Sequence, residues 1–147
     1  MKDGRPGCRR PPGRCDGAPR LRLRHRAHAV ELGRIRGDIG RWARQTGVPE
    51  DVTIDLQLAV GEAVANGVEH AYGDDADGTV EVEMELRDGR PPAVLVRVAD
   101  RGAWRPEPES PGFRGRGLLM IERLARRVRV QCSPGGTEVC FEIPFPA

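Results

Sequence analysis

The stretch "GEAVANGVEHAY", residues 61–72, carries Glu62, Asn66 and His70 four residues apart in an otherwise apolar run. On a helix, residues four apart share one face, so these polar groups form a single stripe. A carboxylate so placed can act as general base toward a hydroxyl. An asparagine oxygen is a hard ligand suited to Mg²⁺, which prefers oxygen and keeps several waters. One turn apart, Glu62 and Asn66 could activate a nucleophile beside a metal-bound phosphate. A wetted helix face gives the same pattern, and His70 reads equally well as a structural hydrogen-bonding histidine.

Two further clusters could do chemistry. In "ADRGAW", Asp100 ends an apolar strand-like run and Gly102 follows two residues later. A carboxylate there could accept a hydrogen bond from an exocyclic amine, while the glycine lets a flat ring approach the backbone. Asp-x-Gly is also an ordinary turn signal. In "RGRG", residues 114–117, Gly115 and Gly117 would expose backbone N–H groups at a helix N-terminus, with Arg114 and Arg116 adding positive charge. Gly-x-Gly is equally common in flexible loops. Lys2 is the only lysine. That excludes a P-loop and the strand lysine of eukaryotic-type kinases, so any phosphate must be held by backbone N–H groups, arginine or a metal ion.

The elements that must position these residues follow from periodicity. Val30, Leu32, Ile35, Ile39 and Trp42 predict a helix over 29–46, stopped by "TGVPED". A second helix starts near 49–53; Ile54, Leu56, Leu58, Val60, Val64 and their neighbours make it apolar on most faces, so it should be largely buried. "LRLR" at 21–24 reads as a short edge strand, and "TVEVEMELRDG" with "AVLVRVAD" as a hairpin with one wet face. Residues 101–117 hold three prolines, four glycines and almost no periodic apolar residues, the mark of a functional loop. "LLMIERLARR" predicts a helix, and "VRVQCS" with "TEVCFEIP" a closing hairpin. This order suggests an α+β two-layer sandwich, a mixed, mostly antiparallel sheet with helices on one face.

At 147 residues one domain is expected, over residues 20–147, after a disordered basic tail at 1–19. Residues 1–20 hold six of the 24 basic groups and two of the 22 acids, leaving 18 basic and 20 acidic residues beyond them. A mildly acidic body gives no case for direct nucleic-acid binding. No apolar run approaches the ~18 residues of a membrane span. The start has no apolar signal region, so a cytoplasmic protein is expected. Cys132 and Cys140, in strand-like segments, are expected to be reduced, small buried apolar residues.

Taken together, the three clusters resemble the Bergerat-fold ATPases, the superfamily of gyrase and sensor-kinase ATP domains. Glu62 and Asn66 match the N-box, Asp100 and Gly102 the first glycine box, Gly115 and Gly117 the second, and "GGT" at 135–137 the late threonine segment. Within that group "LAVGEAVANGVEHAY" and "GRGLLMIERLARRVRV" are most similar to the anti-sigma-factor serine kinases of bacterial partner switching. The resemblance spans about residues 20–145.

It implies that ATP lies between the helices and a mobile lid at 103–117. Glu62 would then activate a serine hydroxyl and Asn66 would hold Mg²⁺ on the phosphates. Asp100 would bind the adenine amine with Thr137 supporting it, and Gly102 would make room for the ring. Gly115, Gly117 and the N–H of Leu118 would hold the phosphates. The implied partners are a serine-bearing anti-sigma-factor antagonist, a sigma factor and a second copy of the chain.

The chain departs from the family pattern in places. Gly61 and Gly67 stand where relatives commonly have Ser and Ala, and Trp104 where many carry a further glycine. Trp104 could cover the adenine or fill a hollow at the base of the lid. "RGAWRP" is similar to kinase domains fused to metal-dependent serine phosphatases, and these 147 residues are expected to hold the kinase domain alone. Two other functions stay open: a non-catalytic ATP-binding partner-switch module, and a histidine-kinase ATP domain using His25 or His28, which lack an acidic sequence neighbour.

Overall fold

The computed structural model describes residues 17–26, 28–71, 78–101, 114–133 and 136–146. Among these the chain order is β1 (Arg20–Arg26), α1 (Glu31–Thr46), α2 (Glu50–Ala71), β2 (Thr79–Arg87), β3 (Ala93–Arg101), α3 (Arg114–Leu124), β4 (Arg126–Ser133) and β5 (Gly136–Pro144). The strands form one five-stranded sheet in the order β1-β2-β3-β5-β4. All four pairings are antiparallel. The α+β two-layer sandwich is as expected, and β1 is the edge strand that its alternation suggested.

Side-chain alternation sorts the sheet into two faces. Val80, Val82 and Met84 of β2, Val94, Val96 and Val98 of β3, and Val139, Phe141 and Ile143 of β5 are buried. They meet Ile35, Ile39 and Trp42 of α1, Val52, Leu56, Val60 and Val64 of α2, and Ile121 of α3 in one core. Each such aliphatic side chain contributes about 1.5–3 kcal/mol by leaving water. α2 packs centrally, touching β3 and β5 as well as both other helices.

The opposite face of the sheet is charged. Arg20 and Arg22 of β1 pair with Glu85 and Glu83 of β2 at 3.4 and 3.5 Å. Arg97 of β3 meets Glu138 of β5 at 2.9 Å and Glu83 at 3.7 Å. Glu142 of β5 lies between Arg87 at 3.2 Å and Arg127 of β4 at 3.6 Å. A shallow groove of about 560 Å³ runs along this face, away from the helices. Cys140 belongs to the outward row between Val139 and Phe141, is half-buried, and is disulfide-bonded. The expectation of a reduced, buried cysteine is therefore wrong for Cys140.

Helix ends explain several boundaries. α1 closes on Gly47, whose φ of 79° suits glycine and whose N–H caps the Ala43 carbonyl. α1 starts at Glu31 rather than Ala29, and a link across six residues helps hold that start: His25 Nδ1 of β1 lies 3.1 Å from Glu31 Oε2. His25 Nε2 also lies 3.8 Å from Asp38 Oδ2. The acidic neighbours that His25 lacks in sequence arrive in space from α1.

α3 ends at Leu124, and Arg126 already pairs with Glu142 in β4. Arg127, expected inside the helix, has φ 53° and stands in a register shift between Arg126 and Arg129. That bulge lets the chain turn from helix into strand without a longer loop. A second difference concerns α2. Its buried side is as apolar as expected, but Ile54 is 50% and Leu58 44% exposed. The helix is covered by the sheet, α1 and α3, and the remaining face stays open.

Candidate functional site

Strand parity aims Asp100. In β3, Val94, Val96 and Val98 face the helices, and Asp100 is next in that row, opposite Val80 of β2. The carboxylate is therefore directed to the helix layer at the end of the strand, where it is only 8% exposed. A buried carboxylate is costly unless hydrogen-bonded. The backbone N–H of Thr137 donates to Asp100 Oδ1 at 2.9 Å. Thr137 belongs to the inward row of β5 with Val139 and Phe141, so the first glycine box and the threonine segment meet directly.

Gly136 makes that meeting possible. Its φ is +136°, a conformation that side chains rarely adopt, and a Cβ there would collide with the main-chain oxygen of Asp100. The same Cβ would stand 3.0 Å from Asp100 Oδ1. Sequence reasoning noted this glycine only as part of "GGT" and missed its steric task. The available signal was a glycine immediately before the threonine at the start of a strand.

Glu62 and Asn66 lie on α2, one turn apart, and both are half-buried. Gly61 beside them is buried, and a Cβ there would come 3.1 Å from Arg36 Nη2 of α1. Gln57 Nε2 also donates to the Arg36 carbonyl at 3.0 Å, so the two helices approach closely around this residue. The Arg36 guanidinium is the free end of a flexible side chain and can move aside. Gly61→Ala is thus expected to gain helix propensity and stabilise the fold by about 0.5 kcal/mol, raising Tm by roughly 1–2 °C in a thermal melt. A loss of stability would mean that Arg36 is fixed in place.

"RGRG" forms the first turn of α3, which starts at Arg114 rather than at Leu118. First-turn N–H groups have no carbonyl one turn before them and carry the positive end of the helix dipole. Gly115, Arg116 and Gly117 belong to that turn, followed by half-buried Leu118 and exposed Leu119 and Met120. Fully buried Ile121 fixes α3 in the core, and α3 packs along α2. Gly102, Trp104 and the rest of the expected lid to residue 113 lie outside the described residues, as do Gly135, the side chain of His70 and the N-terminal residues to 16. Among the described residues no cluster of three or more His, Cys, Asp or Glu could hold a metal ion alone. None of the described helices is long and apolar enough to cross a membrane.

A two-layer sandwich with a buried, hydrogen-bonded Asp on the helix side and a Glu-x-x-x-Asn helix beside it is the framework of a nucleotide-binding ATPase domain. The chain belongs to the histidine kinase-like ATPase domain family, whose profile matches residues 26–143.

It is 36% identical over 106 residues to the anti-sigma F factor of Pasteuria penetrans, covering 61% of this chain and 66% of that protein. It is 30% identical over 129 residues to the serine-protein kinase RsbW of Bacillus licheniformis, covering 80% of this chain and 81% of that one. Coverage of the first curated relatives is partial: the chain spans 66% of the Pasteuria protein and 49% of the serine-protein kinase RsbW of Listeria innocua. Among solved structures, the RsbU and RsbW domains of Rv1364c from Mycobacterium tuberculosis superpose with a TM-score of 0.64 at 25% identity. That likeness covers 88% of this chain and 34% of the other.

Proposed function

We propose that the chain is an ATP-dependent protein serine kinase and anti-sigma factor, which phosphorylates a serine on an anti-sigma-factor antagonist and also binds a sigma factor. The observation that carries this reading is the Asp100–Thr137 pair, held by Gly136 on the same side of the sheet as the Glu62 helix. Relatives named serine-protein kinase RsbW and anti-sigma F factor support it from sequence. The same resemblance implies a cytoplasmic protein that can pair with a second copy of itself.

In this reading the adenine amine donates to the Asp100 carboxylate, whose Oδ1 is already fixed by the Thr137 N–H. The triphosphate runs toward the first turn of α3, where backbone N–H groups and Arg114 and Arg116 offset its charge. Gly102, outside the described residues, would by the family resemblance leave room for the ring. Mg²⁺ suits the amide oxygen of half-buried Asn66, because the ion prefers oxygen ligands and keeps most of its coordination for phosphate and water. Asn66 would supply one oxygen, and the ion would neutralise charge on the phosphates.

Glu62 takes the proton from the serine hydroxyl as the serine oxygen bonds to the γ-phosphorus. The bond to the bridging β–γ oxygen breaks, and ADP leaves with that electron pair. Phosphoryl transfer asks a protein mainly for such positioning and charge neutralisation.

Calorimetry with ATP, with and without Mg²⁺, tests the pocket. Asp100→Asn puts an amide donor where two donors already point, and ATP affinity is expected to fall at least a hundredfold, about 2.7 kcal/mol. Asn66→Ala should remove most of the Mg²⁺-dependent part and leave the rest. Wild-type ATP affinity unchanged by Asp100→Asn would sink the assignment of the adenine site.

A further inference from the structure

Cys140 lines the outer groove, half-buried and disulfide-bonded. The chain has three other cysteines, Cys8, Cys15 and Cys132. Strand register rules one of them out. Arg129 of β4 pairs with Cys140, while Cys132 pairs with Thr137, three residues away along β5. Three residues of strand and one strand spacing put the two cysteine Cα atoms about 11 Å apart, and a disulfide spans at most about 7 Å. Cys8 and Cys15 both precede β1, in the N-terminal segment.

We propose that Cys140 is joined to Cys8 or Cys15, and that this bond straps residues 8–15 across the outer face as a redox-controlled cover of the groove. The chain enters β1 from Pro19, whose carbonyl accepts from the Leu86 N–H at 3.0 Å. Leu86 is in register with Val94, and Val94 with Ile143, so Cys140 lies three strands across and three residues along from Pro19. That separation is about 17 Å. The four residues from Pro19 back to Cys15 reach about 13 Å, and the disulfide adds about 5.5 Å between Cα atoms. Cys15 therefore closes the span by running straight over β2 and β3, and Cys8 closes it with slack. On either route the segment crosses strands whose residues line the groove.

Charge does not hold the segment there. The lining carries six arginines and four glutamates, and residues 8–15 carry three arginines and no acid. Like charge thus favours release once the bond is cut. In the reducing compartment proposed above, such bonds are transient and redox-sensing. A low-molecular-weight disulfide is the oxidant. One protein thiolate displaces a small thiolate from it and forms a mixed disulfide; the second protein thiolate attacks the protein sulfur and displaces the other. The two small thiols that leave carry the two electrons and the two protons lost by the protein thiols.

The full chain equilibrated with oxidised or with reduced glutathione tests the strap. In the oxidised protein, peptide mapping by mass spectrometry without reduction should join Cys140 to a peptide holding Cys8 or Cys15. Tryptic cleavage after Arg9 and Arg14 should be at least tenfold slower in the oxidised than in the reduced protein. In Cys140→Ser the two rates should be equal, and equal again in Cys8→Ser with Cys15→Ser, whose positions lie outside the described fold. Cys140 still open to alkylation after oxidation, or joined to Cys132 or to a second copy, overturns the proposal. So does a mapped bond to the N-terminal segment with equal cleavage in both redox states, because the segment would then be tethered without covering the groove.

Discussion

Glu62→Gln is expected to slow serine phosphorylation about a thousandfold or more while ATP affinity stays within about twofold. Glutamine keeps the size and most of the packing of this half-buried side chain and removes only its capacity to accept a proton. A thousandfold loss corresponds to about 4 kcal/mol of transition-state stabilisation, within the range for a positioned general base. Single-turnover transfer of labelled phosphate to a serine-bearing antagonist, beside calorimetry on the same protein, separates chemistry from binding. A variant that transfers phosphate at the wild-type rate would remove Glu62 from the mechanism. Wild-type protein that binds ATP tightly and transfers nothing would favour the non-catalytic partner-switch module.

Gly136→Ala should have the largest effect of any single methyl added to the described fold. The left-handed φ of +136° disfavours alanine, and the new carbon would occupy the space of the Asp100 main-chain oxygen. The ends of β3 and β5 must separate, which loosens the Thr137 N–H from the Asp100 carboxylate. A loss of about 3 kcal/mol or more is expected, with Tm falling by roughly 10 °C and ATP affinity falling at least a hundredfold. Gly47→Ala is the control. Gly47 also has a positive φ, 79°, but nothing lies near its missing side chain, so the cost should be about 1 kcal/mol without an effect on ATP. Equal ATP affinity in wild type and Gly136→Ala would show that the nucleotide does not depend on the Asp100–Thr137 contact.

Much of this framework was legible in sequence because local pattern and tertiary role agree. The alternation through Val80, Val82 and Met84, the helical spacing of Ile35, Ile39 and Trp42, and the Gly47 stop are local signals that the fold then obeys. What was not legible depended on contacts between distant segments. Whether Ile54 and Leu58 are covered is decided by where α1 and α3 lie against α2, not by their hydrophobicity. The close approach of Gly136 to Asp100, 36 residues away in sequence, needs the β3–β5 pairing before it has meaning. His25 meets Glu31 and Asp38 only once β1 lies beside α1. The start of α3 was placed late because two glycines in "RGRG" read as loop, whereas in the fold they form the first helical turn.

The sign of charge also largely alternates from strand to strand on the outer face: arginines on β1, Glu81, Glu83 and Glu85 with a terminal Arg87 on β2, Arg97 on β3, glutamates on β5 and arginines on β4. Among the described residues, both borders of the sheet therefore carry the same sign. Arg20, Arg22, Arg24 and Arg26 lie along one border, and Arg126, Arg127 and Arg129 along the other. Any edge-to-edge meeting of two copies, β1 on β1, β4 on β4 or β1 on β4, brings arginine rows side by side with no carboxylate between them. Like charges on adjacent strands oppose pairing. The sheet is thereby guarded against growing from one molecule into the next, a guard that weakens as added salt screens the arginines. Self-association through the helices escapes this penalty, so a fibre or sheet-extended aggregate should form more readily in concentrated salt than in dilute buffer.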